Sequence, residues 1–236
     1  MQFDGNNDFV TLQQTYYMLG EGWEDTMTIE TWVNPLGEAE NCNYFEVANC
    51  DPIIGDRPRW FGIYRGALAG LDRIWVWNYD GNYDVIGVTY TPGEWVHITM
   101  MHADGVLHAY KNGVEVGSLL SGTTQQPHTG ALPVLQLGGI VNNATQNWIF
   151  EGQIDEVRFW NVARTPGEVQ QDLDQTLAGD ESGLKAYYQM SDGAGLTLTD
   201  DSQFNWNGTL HDGTTDLPPD GSPPQWVVSD AFGTVP

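Results

Sequence analysis

Residues 152–165 read GQIDEVRFWNVART, an acidic strand pattern that runs into a helix start. Side chains alternate along an extended segment, so Gln153, Asp155 and Val157 are expected on one side and Ile154, Glu156 and Arg158 on the other. Asp155 then sits among apolar neighbours, where a bare carboxylate is costly and calls for a cation, a set of donors or a metal. A pair with Arg158 or a backbone turn would also meet that need. Directly after the strand, Thr165-Pro166-Gly167-Glu168 is a capping box with proline at the first helical position. It predicts a single short helix from Pro166 to Leu177, stopped by Gly179.

Outward from this stretch the pattern is one of short strands and turns. Alternation marks strands at Gln2 to Leu12, interrupted by Asp4-Gly5-Asn6-Asn7-Asp8, and at Met27 to Val33, Trp60 to Tyr64, Arg73 to Asn78, Asp84 to Tyr90, Trp95 to His102, Gly105 to Lys111 and Val134 to Gly138. Further strands are expected at Trp148 to Trp160, Gly183 to Met190, Asn207 to Leu210 and Gln225 to Val228. Asp80-Gly81 and Asn112-Gly113 are hairpin signals. Residues 37–59 read as a long decorated loop with a short strand around Tyr44 to Val47. With 28 Gly, 12 Pro and 10 Trp, 10 Tyr and 8 Phe in 236 residues, the composition suits an all-β chain forming one domain over 1–236.

The formal charge of −24 comes from 32 acidic against 8 basic residues, so nucleic acid and anionic membrane surfaces are repelled and are excluded as partners. Self-repulsion on this scale points to a saline or calcium-rich medium, or simply to an acidic soluble surface. Cys42 and Cys50 suit a loop-clamping disulfide in an exported protein, or two buried thiols. No apolar run reaches membrane-spanning length, and no signal peptide precedes Phe3, as expected of a domain cut from a longer chain.

FDGNNDFV at 3–10, MTIETWVNP at 27–35, GEWVHITM at 93–100, AYKNGVEVG at 109–117, LQLGG at 135–139, GQIDEVRFWNVART, GLKAYYQMSDGAG and DDSQFNWNGTL occur in one order. In these motifs the chain resembles the laminin-G-like, concanavalin A-like jelly-roll domains of large secreted and surface proteins. The resemblance implies an antiparallel two-sheet jelly-roll sandwich. It also implies a structural calcium ion joining the N-terminal loop to the acidic strand, with Asp4, Asn7, Asp8 and Asp155 in the matching positions; a plain turn would serve FDGNNDFV equally.

Glycosidases of this fold carry two glutamates flanking an aspartate on one strand face, and the matching face here offers Gln153, Asp155 and Val157, so no enzyme is expected. His97, His102, His108, His128 and His211 lie in no nucleophile or zinc motif. The aromatic excess instead points to sugar stacking, with Tyr79, Asp80, Asn82 and Tyr83 in one loop and Asn142, Asn143 and Trp148 in another as the ligand-binding candidates. Trp32, Trp60, Trp75, Trp77, Trp95 and Trp160 lie within strands and are expected in the core. The expected function is a calcium-dependent, lectin-like adhesion module of an extracellular bacterial surface protein, with glycans and flanking domains of the same chain as partners. The alternatives are a non-catalytic protein-interaction or spacer domain and, further off, a diverged glycoside hydrolase.

Overall fold

The computed structural model describes all of the chain except residues 15–17, 21, 38, 40–49, 58–60, 69–70, 124–133, 142–146, 214–219 and 235–236. Two antiparallel sheets face each other. One has seven strands, in the order β1 (Gln2–Asp4), β14 (Glu151–Trp160), β3 (Met27–Pro35), β8 (Val96–Ala103), β9 (Val106–Lys111) and β10 (Val114–Leu120), with β15 (Leu184–Tyr188) paired to the far half of β14. The other has eight, in the order β16 (Thr197–Leu198), β17 (Gly208–Asp212), β2 (Asp8–Gln14), β11 (Val134–Leu137), β4 (Asp51–Arg57), β5 (Phe61–Leu68), β6 (Leu71–Tyr79) and β7 (Tyr83–Val88). A short ribbon, β12 (Gly139–Val141) with β13 (Asn147–Ile149), stands apart from both. Ile29, Val33, Ile98, Ile154 and Phe159 from the first sheet and Val10, Ile54, Ile63, Ile74, Val76 and Leu135 from the second fill the space between them. This is the expected jelly-roll sandwich.

Several elements differ from expectation. The segment 37–59 contains β4, a central strand, because Ile53 and Ile54 both turn into the core across a register shift next to Pro52; the strand expected at Tyr44 to Val47 lies outside the described residues. The strand expected at 148–160 is two, broken at Phe150. Gln225 makes only an isolated bridge to Gln2.

β14 itself changes faces. Glu156 has a φ of +51° and the register with β3 shifts between Asp155 and Arg158, a bulge that adds one residue to the strand. Ile154 and Val157 therefore both reach the core, while Asp155, Glu156 and Arg158 all turn outward. The expected grouping of Gln153, Asp155 and Val157 is overturned for this reason.

On that outer side Arg158 lies 2.8 Å from Glu156 and 3.7 Å from Glu30, and Arg164 lies 3.6 Å from Glu30 and 2.5 Å from Asp172. Helix α1 (Pro166–Asp172) meets them through its last residue, whose carbonyl accepts from Arg158 and whose carboxylate accepts from Arg164. Its capping box forms as expected, Thr165 Oγ1 accepting from Glu168 N. It ends five residues short of Leu177 because Arg158 takes the carbonyls of Asp172 and Gln175, and the Trp32 indole takes that of Leu173. Among the described residues no helix is long and apolar enough to cross a membrane.

Candidate functional site

Alternation along β6 sends Ile74 and Val76 inward and leaves Arg73, Trp75, Trp77 and Tyr79 on the outer face of the eight-stranded sheet. Tyr64 of β5 lies flat across Gly55 and Gly62: a Cβ at Gly62 would stand 2.5 Å from the Tyr64 ring, and one at Gly55 would collide with its phenol oxygen. The flattened ring stacks on Trp77 at 3.7 Å and 20°. Trp75 lies in the same manner over Gly87, where a Cβ would be 2.7 Å from Cζ3, and its indole N–H donates to Gly66 O at 2.9 Å. Trp75, Tyr83, Val85 and Trp148 pack partly buried around Cys50, Tyr64, Trp77 and Ile140, and Tyr79 lies 4.8 Å from Tyr83. The sheet thus carries a preformed aromatic layer on its outer face.

Of the expected ligand-binding residues, Tyr79, Tyr83 and Trp148 meet in or beside this layer. Asp80 does not present a free carboxylate; it ties the turn, accepting from Asn82 N at 3.0 Å and Gly122 N at 2.8 Å. Asn82 is exposed at the hairpin tip. Asn142 and Asn143 lie outside the described residues. Cys50 is disulfide-bonded and buried; Cys42, the chain's other cysteine, lies outside the described residues.

Sequence reasoning passed over Trp75 and Tyr64. Trp75 was expected in the core and is half-buried on the outer face; Trp60 lies outside the described residues. Trp32, Trp77, Trp95 and Trp160 are buried as expected, but in small clusters on the outer sides of the sheets and not between them. The usable signal was Trp75-Val76-Trp77-Asn78-Tyr79 itself, whose period of two places three aromatic rings on the side that the aliphatic residues do not occupy.

The expected metal quartet is divided. Asp8 opposes Asp212 across β2 and β17 and is 1% exposed. Its Oδ2 accepts from Asp4 N at 3.2 Å, and its Oδ1 has no hydrogen-bond partner. Burial, followed by the charges of Asp4, Asp220 and Asp212, pushes the Asp8 carboxyl up to about 7. Asp4 holds the turn through Asn6 N at 2.8 Å, Asp212 holds Asp220 N and Gly221 N, and Asn7 is buried with its carbonyl accepting from Gly213 N. Asp155 is elsewhere. Asp4 pairs with Glu151, four residues before Asp155, which is about 13 Å along a strand. The Asp155 carboxylate accepts from Glu156 N at 3.1 Å and bonds the Ser229 hydroxyl. Burial raises its pKa.

Among the described residues no three Asp, Glu, His or Cys side chains are gathered to hold a metal ion. Asp4, Asn7, Asp8 and Asp155 therefore do not fit one calcium shell. The Asp8 edge fits a hard cation in its chemistry alone, with oxygen donors, unneutralised charge and one unfilled carboxylate oxygen.

Residues 4–170 match the family described as the concanavalin A-like lectin/glucanases superfamily. Mouse (Mus musculus) pappalysin-1 is 33% identical over 88 residues, which are 36% of this chain and 5% of the relative, so the chain spans a small part of that protein. A candidate carbohydrate-binding protein from Bacteroides ovatus superposes with a TM-score of 0.65 at 19% identity, covering 96% of this chain and 63% of its own. A heptameric SAP-like pentraxin from Limulus polyphemus gives 0.52 at 14% identity over 72% of this chain and 79% of its own. With two facing antiparallel sheets and a family match over most of its length, the chain belongs to the concanavalin A-like lectin/glucanases superfamily.

Proposed function

We propose that the chain is a glycan-binding module of an extracellular protein and not an enzyme, and that the outer aromatic face of its eight-stranded sheet is the binding surface. The observation that carries this is Trp75, whose ring is laid flat on Gly87 and whose N–H is already satisfied by Gly66. Such an indole offers a ligand its π face at little cost in side-chain ordering, which suits the apolar side of a sugar ring. Membership of a lectin-like family and likeness to a candidate carbohydrate-binding protein support the same reading. Against hydrolysis stands the β14 strand: at the bulge its acidic residues are Asp155, held by Glu156 N and Ser229, and Glu156, held by Arg158 and Tyr187, while Glu151 stands at the far end of the strand opposite Asp4. No two of them form a free carboxylate pair across a cleft.

Calcium belongs to the proposal at the Asp8 edge, where a divalent ion would bind the unpartnered Asp8 Oδ1, with backbone carbonyls and water completing its shell, and would be drawn there by the nearby charges of Asp4, Asp212 and Asp220. One experiment tests both parts: titration calorimetry of a glycan panel in calcium and in chelator, with Trp75→Ala and Asp8→Asn. Trp75→Ala is expected to lose glycan binding while keeping its circular dichroism, and chelator is expected to lower the melting temperature of the wild type but not of Asp8→Asn. Unchanged glycan affinity in Trp75→Ala overturns the surface, and a melting temperature indifferent to chelator overturns the ion.

A further inference from the structure

The class of glycan follows from three features of the same face, and rests on the proposal that this face binds glycans. First, Trp75 has spent its only donor on Gly66 O, so it recognises a ligand by ring contact, which is indifferent to charge and to hydroxyl detail. Second, Trp75 and Tyr79 are four residues apart on β6, about 13 Å along a strand, and Tyr83 adjoins Tyr79 at 4.8 Å. Trp77 between them is sealed against Tyr64 and Ile140, so the partly exposed rings at the two ends are separate contacts, and a ligand touching both is longer than a single sugar ring and is a chain of sugars. Third, the protein carries a formal charge of −24. Arg65, Arg158 and Arg164 are buried in ion pairs. Arg73, beside Trp75 on this face, donates to the Asp72 carbonyl at 2.8 Å. Asp80 stands at the other end. An anionic glycan approaching here meets a strongly like-charged field, against which Arg73 stands as a single positive charge on the described part of this face.

We propose that the face binds a neutral oligosaccharide of more than one sugar unit, and that polyanionic glycans such as uronates and sulfated polysaccharides are refused. The affinity gained on lengthening the ligand then comes from the second aromatic contact, and stacking of planar bases on aromatic rings sets its scale at roughly 5- to 150-fold.

The test is calorimetry and affinity electrophoresis of the whole chain against neutral monosaccharides, their oligosaccharides, xylan, arabinan and mixed-linkage β-glucan. Alginate, polygalacturonate and heparin form the anionic arm, each at low and high salt. The expected result is binding of neutral chains roughly 5- to 150-fold tighter than of their monomers, insensitive to salt, and weakened in Trp75→Ala and in Tyr83→Ala alike. Trp75→Phe, which keeps a stacking ring, is expected to restore most of it and so separates a stacking role from a folding defect. Tighter binding of any anionic polysaccharide, or equal binding of monomers and chains, overturns this inference and leaves glycan binding standing. No binding to any member of either arm overturns both.

Discussion

His97 and Glu30 stand 3.8 Å apart with both side chains wholly buried, and their burial pushes them in ways that oppose each other with pH. The His97 pKa is lowered, first by desolvation and then by Arg158 and Arg164. Below its ordinary value of about 6.5 the unfolded chain takes a proton that the folded chain refuses, so His97 removes stability as pH falls. Glu30 is pushed up to about 6 by burial, with Arg164 and Arg158 pulling the other way. It takes its proton more readily folded than unfolded, so acidification between about pH 6 and 4.5 relieves a cost. His97→Gln should therefore lose less melting temperature than wild type between pH 7 and pH 5; equal losses would show that His97 does not govern acid sensitivity. At this scale the sequence was readable in part. That Asp155 needs donors was evident from its neighbours, but that they would be Glu156 N and Ser229 was not, since Ser229 is distant in sequence and arrives only with the fold.

Among elements, α1 and β14 are held together by Arg158, which is fully buried and bonded to Glu156 and to the carbonyls of Asp172 and Gln175. Removing it leaves Glu156 without its counter-charge and Glu30 with Arg164 alone, in a site closed to water. Arg158→Ala is expected to destabilise by about 3–5 kcal/mol in urea unfolding, and a change below about 1 kcal/mol, the scale of an exposed pair, would refute the buried network. The helix start was legible because a capping box is local; its early end was not, because the carbonyls are captured by side chains from β3 and β14. β4 was hidden for a similar reason. Asp51-Pro52-Ile53-Ile54-Gly55-Asp56-Arg57 breaks alternation and contains residues that disfavour strands, yet Gly55 is required there by the phenol of Tyr64.

For the whole molecule, 32 acidic residues against 8 basic ones make the native state self-repelling, since folding concentrates charge that the unfolded chain spreads out. Sodium chloride should raise the melting temperature steadily up to about 1 M, where screening acts within about 3 Å. A melting temperature that falls with salt would mean that the buried ion pairs, and not the surface, dominate the electrostatics. The architecture itself was the most legible level: turn signals, alternating strands and a run of motifs in one order converge on the sandwich without depending on any single residue.

The bulge at Glu156 has a bearing on how β14 can vary. Up to Asp155 odd-numbered positions look outward; from Arg158 onward even-numbered ones do. The strand is thus read in two frames joined at one extra residue, Glu156. Exchange of one side chain for another disturbs a single contact, and loss of Glu156 would restore plain alternation with Val157 still inside and Arg158 still outside, whereas one more inserted position would trade inside for outside along everything that follows, setting Arg158 and Trp160 against the interior aliphatics.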